Sequence, residues 1–101
     1  MSADKYTAIV DKGIEDLIPG FIGNRHKELE TLRAALASSD LEQMRALGHR
    51  MKGVGNSYGF APISDLGKLI EDGAKANDTA GIAARLDEYA DYLAKVKIVY
   101  E

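Results

Sequence analysis

The chain has no cysteine and no tryptophan. The first absence excludes a disulfide framework, a cysteine-ligated zinc site and a thiol nucleophile, and it leaves the redox compartment open. There are only two prolines, set far apart, and the ten glycines follow no fixed period, which excludes collagen-like and proline-rich linker architectures. No surplus of positive charge exists: 13 Lys and Arg stand against 16 Asp and Glu, a formal charge of −3, so nothing electrostatic advertises a nucleic-acid binder. Long apolar runs are missing too. The longest, Leu17 to Gly23, is far below the about 20 residues a membrane span requires. No basic region leads into an apolar stretch at the N-terminus, so the expectation is a cytoplasmic protein with no membrane association.

What remains is ordinary for a globular chain: 101 residues, 46% apolar and 29% charged. That length fits one domain over 1–101, and it buries roughly two-thirds of the unfolded surface. Helix-period patterns cover most of it. Ile82, Leu86, Tyr89, Leu93, Val96 and Tyr100 form one apolar stripe, with Asp78 placed to cap it. Ile18, Ile22, Leu29, Leu32 and Leu36 form another, predicting a helix from about Glu15 to Ala37 that Pro19 either opens or kinks. Asp40 caps a third pattern through Leu41, Met44, Leu47, Met51, Val54 and Tyr58, stopped by Gly59. Pro62 opens a fourth, with Ile63, Leu66, Leu69 and Ile70, fading towards Asn77. Tyr6, Ile9, Val10 and Ile14 suggest a short extra N-terminal helix interrupted near Gly13. Period-2 strand patterns are absent, so no strand is expected. Short breaks between long helices predict an all-α fold, an antiparallel up-down-up-down four-helix bundle.

The third helix carries residues that a bundle does not need. With Met51 at the centre of its buried face, Met44, Leu47, Gly48, Val54, Gly55 and Tyr58 fall within about 60° of it, and His49 lies about 160° away. His49 is therefore expected in solvent at mid-helix. Its neighbours one turn off are Arg45 and Ala46 before it, and Lys52 and Gly53 after it. Gly53 shares the outward face, where a glycine costs roughly 1 kcal/mol against alanine and core packing does not ask for one. Close approach of another molecule explains it. From Leu41 to Tyr58, Arg45, Arg50 and Lys52 face only Glu42, a local charge of +2 in an acidic chain. A cationic rim beside an exposed imidazole suits a phosphoryl group. Neutral imidazole offers a lone pair that can attack phosphorus and later serve as leaving group, and Nε2 is the ring nitrogen expected to do so. No glycine-rich phosphate loop or acidic cluster for Mg²⁺ adjoins His49. Nor do positions one turn away supply metal ligands.

The segment His49-Arg50-Met51-Lys52-Gly53, followed by Tyr58-Gly59-Phe60, resembles the His-x-x-Lys-Gly pattern of histidine-containing phosphotransfer (HPt) domains of two-component phosphorelays. The stretch from Ile18 to Phe21, the Asp40-Leu41 helix start and the run from Leu66 to Glu71 extend the likeness over essentially the whole chain. The resemblance implies that His49 accepts a phosphoryl group from a receiver-domain aspartate and passes it to another receiver. It implies a carrier with no cofactor of its own, Mg²⁺ and the acidic groups coming from the receiver, and a hybrid histidine kinase as a further candidate partner. By the resemblance Lys52 stabilises the phosphate and Gly53 lets the receiver dock; beside these, Arg45 on the opposite turn is expected to add to phosphate stabilisation, and Ala46, Arg50 and Asn56 to the docking rim. Arg50 departs from the small polar residue frequent after the histidine. A chain of this length leaves no room for an ATP-binding domain beside the bundle, and no helix carries a second long apolar stripe, so a monomer is expected. The competing reading is a helical adaptor that keeps the fold without phosphotransfer. His26, without a motif, reads as structural or solvated. Lys68, Glu71 and Asp72 read as a solvated face, Gly48 and Gly55 as close helix packing, and Tyr58 and Phe60 as core and turn anchors.

Overall fold

The computed structural model describes residues 6–101. Four helices follow one another: α1 (Ile18–Ala37), α2 (Leu41–Ser57), α3 (Ala61–Lys75) and α4 (Thr79–Lys95). Each cap predicted from the sequence is made. Asp40 accepts from the Gln43 N–H at 3.1 Å and Asp78 from the Gly81 N–H at 2.9 Å, satisfying first-turn donors that have no intrahelical partner. Pro19 and Pro62 sit in the first turns of α1 and α3, so Pro19 opens its helix and does not kink it.

Contacts between consecutive helices run in opposite senses. Phe21 stacks on Tyr58 while Glu28 meets Arg50, so α1 and α2 are antiparallel. Gly55 lies against Ser64 and Gly48 against Glu71, giving the same sense for α2 and α3. Gly73 lies against Ile82, and the α1–α4 pair closes through Glu28 and Tyr89. The result is the expected four-helix bundle. Leu32, Met44, Met51, Phe60, Ile63, Ile70, Ile82, Leu86 and Tyr89 are wholly buried at its centre. Burial of each such side chain stabilises the fold by roughly 1.5–3 kcal/mol before chain entropy is subtracted.

The two ends of the chain differ from the helical expectation. Thr7–Val10 is a strand, β1, paired in parallel with β2 (Lys97–Tyr100), with Thr7 opposite Lys97 and Val10 opposite Tyr100. The short extra helix is present only as a 3₁₀ segment, Lys12–Leu17, which runs into α1 and displaces that helix's start from Glu15 to Ile18. In β1 Ala8 and Val10 are buried while Ile9 is exposed, an alternation too short to register as a period. α4 stops at Lys95, where Val96 turns extended, and the four-residue spacing of Val96 and Tyr100 suits a strand end as well as a helix. Gly59 ties this sheet to the bundle. It has φ of +92°, and a Cβ there would lie 2.9 Å from the Ile9 carbonyl oxygen.

The tightest contact is between α2 and α3. A Cβ on Gly48 would come within 2.7 Å of the Glu71 nitrogen, and one on Gly67 within 2.6 Å of the Lys52 nitrogen. Both distances are shorter than any real packing contact, so the two backbones approach as closely as they do because these positions lack side chains. That approach brings one turn of α3 beneath the exposed face of α2.

Candidate functional site

His49 stands on that face with 65% of its side chain exposed, at mid-helix, as the angular arithmetic requires. Its ring is not isolated. Nδ1 lies 3.0 Å from Oε2 of Glu71, on the facing turn of α3. Glu71 is only 4% exposed, which corrects its assignment to a solvated face: α3 turns it towards α2 along the line of Ser64, Gly67 and Ala74. Three groups close around its carboxylate. Lys52 Nζ lies 2.9 Å from Oε1, and Lys75 Nζ lies 3.7 Å from Oε2, the oxygen that also faces His49.

This surrounding fixes the charge of Glu71. Hydrogen bonding from Lys52 is the largest influence and holds its pKa down at about 2; burial works in the opposite direction, and the His49 contact and the charges of Lys52 and Lys75 add to the lowering. An ionised carboxylate can only accept, so Nδ1 is the protonated ring nitrogen and donates to Glu71. The lone pair is then on Nε2, on the far side of the ring from the buried carboxylate. The arrangement is chemically a nucleophile held in one tautomer, with two ammonium groups within one turn.

Arg45 is one turn below His49 and is held by Glu42, with an Nη to Oε2 distance of 2.5 Å and Nε to Oε1 of 3.4 Å. The same contact raises its pKa, and its charge also reaches Glu71. Ala46, Gly53 and Asn56 are exposed, and a Cβ on Gly53 would meet nothing within 4 Å. No internal packing therefore demands a glycine there. Arg50 points to the other side of the helix, towards α1, where its Nη lies 3.6 Å from Oε2 of Glu28. His26 is exposed, the solvated branch of its two readings.

Three residues of the site escaped the sequence: Glu71, Lys75 and Glu28. For Glu71 the sequence held only a hint, Ser64 and Gly67 marking a face of α3 that another helix approaches closely, with Glu71 one turn further along it. Among the described residues no group of three or more His, Cys, Asp or Glu side chains is arranged to hold a metal ion, and no helix is long and apolar enough to cross a membrane.

The profile of the Hpt domain family matches residues 16–97, which takes in all four helices and the His49–Glu71 contact. The chain belongs to the Hpt domain family. Hpt domains are phosphocarrier modules of two-component systems, acting through histidine phosphotransfer with receiver domains and histidine kinases. A search of curated proteins and one of solved structures found no match.

Proposed function

We propose that this Hpt domain carries a phosphoryl group on Nε2 of His49, taking it from the aspartyl phosphate of one receiver domain and delivering it to the aspartate of another. In the first step an Nε2–P bond forms as the P–O bond to the aspartate breaks, and the carboxylate leaves as an anion. In the second step the receiving carboxylate attacks and the imidazole leaves. The observation that carries this reading is the exposed ring whose Nδ1–H is engaged by a buried, ionised Glu71, since that contact leaves Nε2 nucleophilic and facing outward. Phosphoryl transfer depends mostly on positioning and on neutralising charge. Lys52 has three donors and shares them between Glu71 and the phosphoryl oxygens, with Lys75 and Arg45 adding positive charge nearby. Mg²⁺ and the acidic groups that hold it belong to the receiver. Ala46 and Gly53 leave low ground on either side of the imidazole, and Arg50 and Asn56 border it. The working unit is one domain over 1–101, acting as a monomer in the cytoplasm.

Incubation with phosphorylated receiver domains tests the reading. The expected product is an acid-labile, base-stable label on this chain, lost in His49→Gln with helix content intact. A labelled His49→Gln would contradict it. Absence of any label on the wild type would favour the adaptor reading.

A further inference from the structure

On the α1 side of His49 a cleft of about 400 Å³ opens between α1 and α2, bounded by Asn24, Arg25, Lys27, Glu28, Thr31 and Arg50. Its charge is unbalanced: three cations share one carboxylate, a surplus of two positive charges in a chain whose total is −3. Its floor is rigid. Glu28 is 4% exposed and accepts from the Tyr89 hydroxyl at 3.0 Å, deep in the bundle. Arg25 is 9% exposed, lies over the Phe21 ring at 4.8 Å, and its buried Nε makes no hydrogen bond, Glu28 being 3.4 Å away. Arg50, next in sequence to His49, is 3.6 Å from Glu28, beyond hydrogen-bond range. Arg25 and Arg50 therefore both border the cleft as ion-pair neighbours of Glu28, at 3.4 and 3.6 Å, and the Arg50 guanidinium keeps its donors for another partner. Guanidinium forks of this kind match a carboxylate in two-point contact.

We propose that this cleft seats an acidic side chain of the receiver domain that docks over His49, and that Arg50 and Lys27 select the receiver by charge. The inference rests on the phosphotransfer reading above and adds to it the chemistry of the partner at one place on the docking surface. A cation on the α1 side of the reacting imidazole steers an acidic partner into register, raises the encounter rate and loses its effect as salt screens it.

The test uses the full chain and the receiver domain of the same genome that transfers to it fastest. Phosphoramidate serves as a donor that needs no docking, its P–N bond breaking with loss of ammonia. The transfer rate from the receiver is divided by the rate of labelling by phosphoramidate for each variant. Arg50→Gln and Lys27→Glu are expected to lower that ratio about fivefold or more at low ionic strength and to flatten its dependence on salt, with Arg50→Lys, which keeps the charge but not the fork, recovering only part of the loss. Lys27 is exposed, so its variant folds even if a change at Arg50 disturbs Glu28. A ratio within twofold of wild type in both variants, with unchanged salt dependence, overturns the cleft as a docking site and leaves phosphotransfer standing. Binding of inorganic phosphate in the cleft with no change in transfer makes it an unrelated anion site and overturns the proposal equally. A wild type labelled by neither donor removes the phosphotransfer reading and this inference with it.

Discussion

Gly48 and Gly53 are five residues apart on α2, and alanine at the two positions should act in opposite directions. At Gly53 an added Cβ meets nothing within 4 Å, so the only internal effect is on the helix itself. Alanine there is favoured over glycine by about 1 kcal/mol, because the unfolded chain loses freedom it would otherwise surrender on folding. For a chain of this size that gain raises Tm by about 4–8 °C. At Gly48 the same methyl meets backbone atoms of α3, the Glu71 nitrogen at 2.7 Å and the Gly67 oxygen at 2.8 Å, and backbone cannot rotate away. The helices must part, at a cost of about 1–3 kcal/mol that outweighs the propensity gain, and the parting moves Glu71 away from His49. Thermal melts followed by circular dichroism, with urea titrations for the free energy, measure both. The effect on transfer is separate: Gly53→Gln should keep or raise Tm and yet slow transfer from a receiver, because the side chain fills ground the partner occupies. A Gly53→Ala variant that melts lower than wild type would refute the claim that folding does not need this glycine. Unchanged transfer in Gly53→Gln would remove the position from the docking surface.

The ion cluster, the buried carboxylate of α1 and the sheet each supply one more expectation. Glu71 is depressed from 4.5 to about 2 by its contacts, so its contribution to stability is present in full above pH 4.5 and is lost as pH falls towards 2; the stability difference between wild type and Glu71→Gln should shrink over that interval, and a constant difference in urea titrations would contradict the pairing. Tyr89→Phe leaves the buried Glu28 oxygen without its hydroxyl donor and should cost about 1–3 kcal/mol, measured by denaturant unfolding. Gly59→Ala forces a left-handed φ on a residue with a Cβ and presses it on the Ile9 carbonyl, so a loss of at least about 1 kcal/mol is expected, together with faster amide exchange along Thr7–Val10.

How far the sequence carries depends on whether a feature is local. α2 is a regular helix of 17 residues, so the angle between Met51 and His49 could be computed from spacing alone, and the outward imidazole with Ala46, Lys52 and Gly53 around it followed. Gly48 and Gly55 were legible as packing positions for the same reason. Glu71 was not, because its charge suggested solvent, whereas burial is decided by its neighbours on α3 and by a partner 22 positions earlier in the chain. Glu28 and Tyr89 meet across 61 positions, and no local pattern announces a tyrosine hydroxyl aimed at a carboxylate. β1 and β2 are four residues each and pair across almost the entire chain, so the short apolar stretches at the two ends fitted a helix as easily as a strand. The bundle and the central histidine were within reach of periodicity; the group that sets the histidine's tautomer required the fold.

The central claim is that Glu71 holds the proton on Nδ1 and so leaves Nε2 to receive phosphorus. Nitrogen-resolved NMR of the His49 ring, before and after labelling with phosphoramidate, measures this directly. The expected result is a proton on Nδ1 directed at Glu71 before labelling, and after it a single phosphorus attached at Nε2 with Nδ1 still directed at Glu71. A ring protonated at Nε2, or phosphorus found on Nδ1 or on His26, would contradict it.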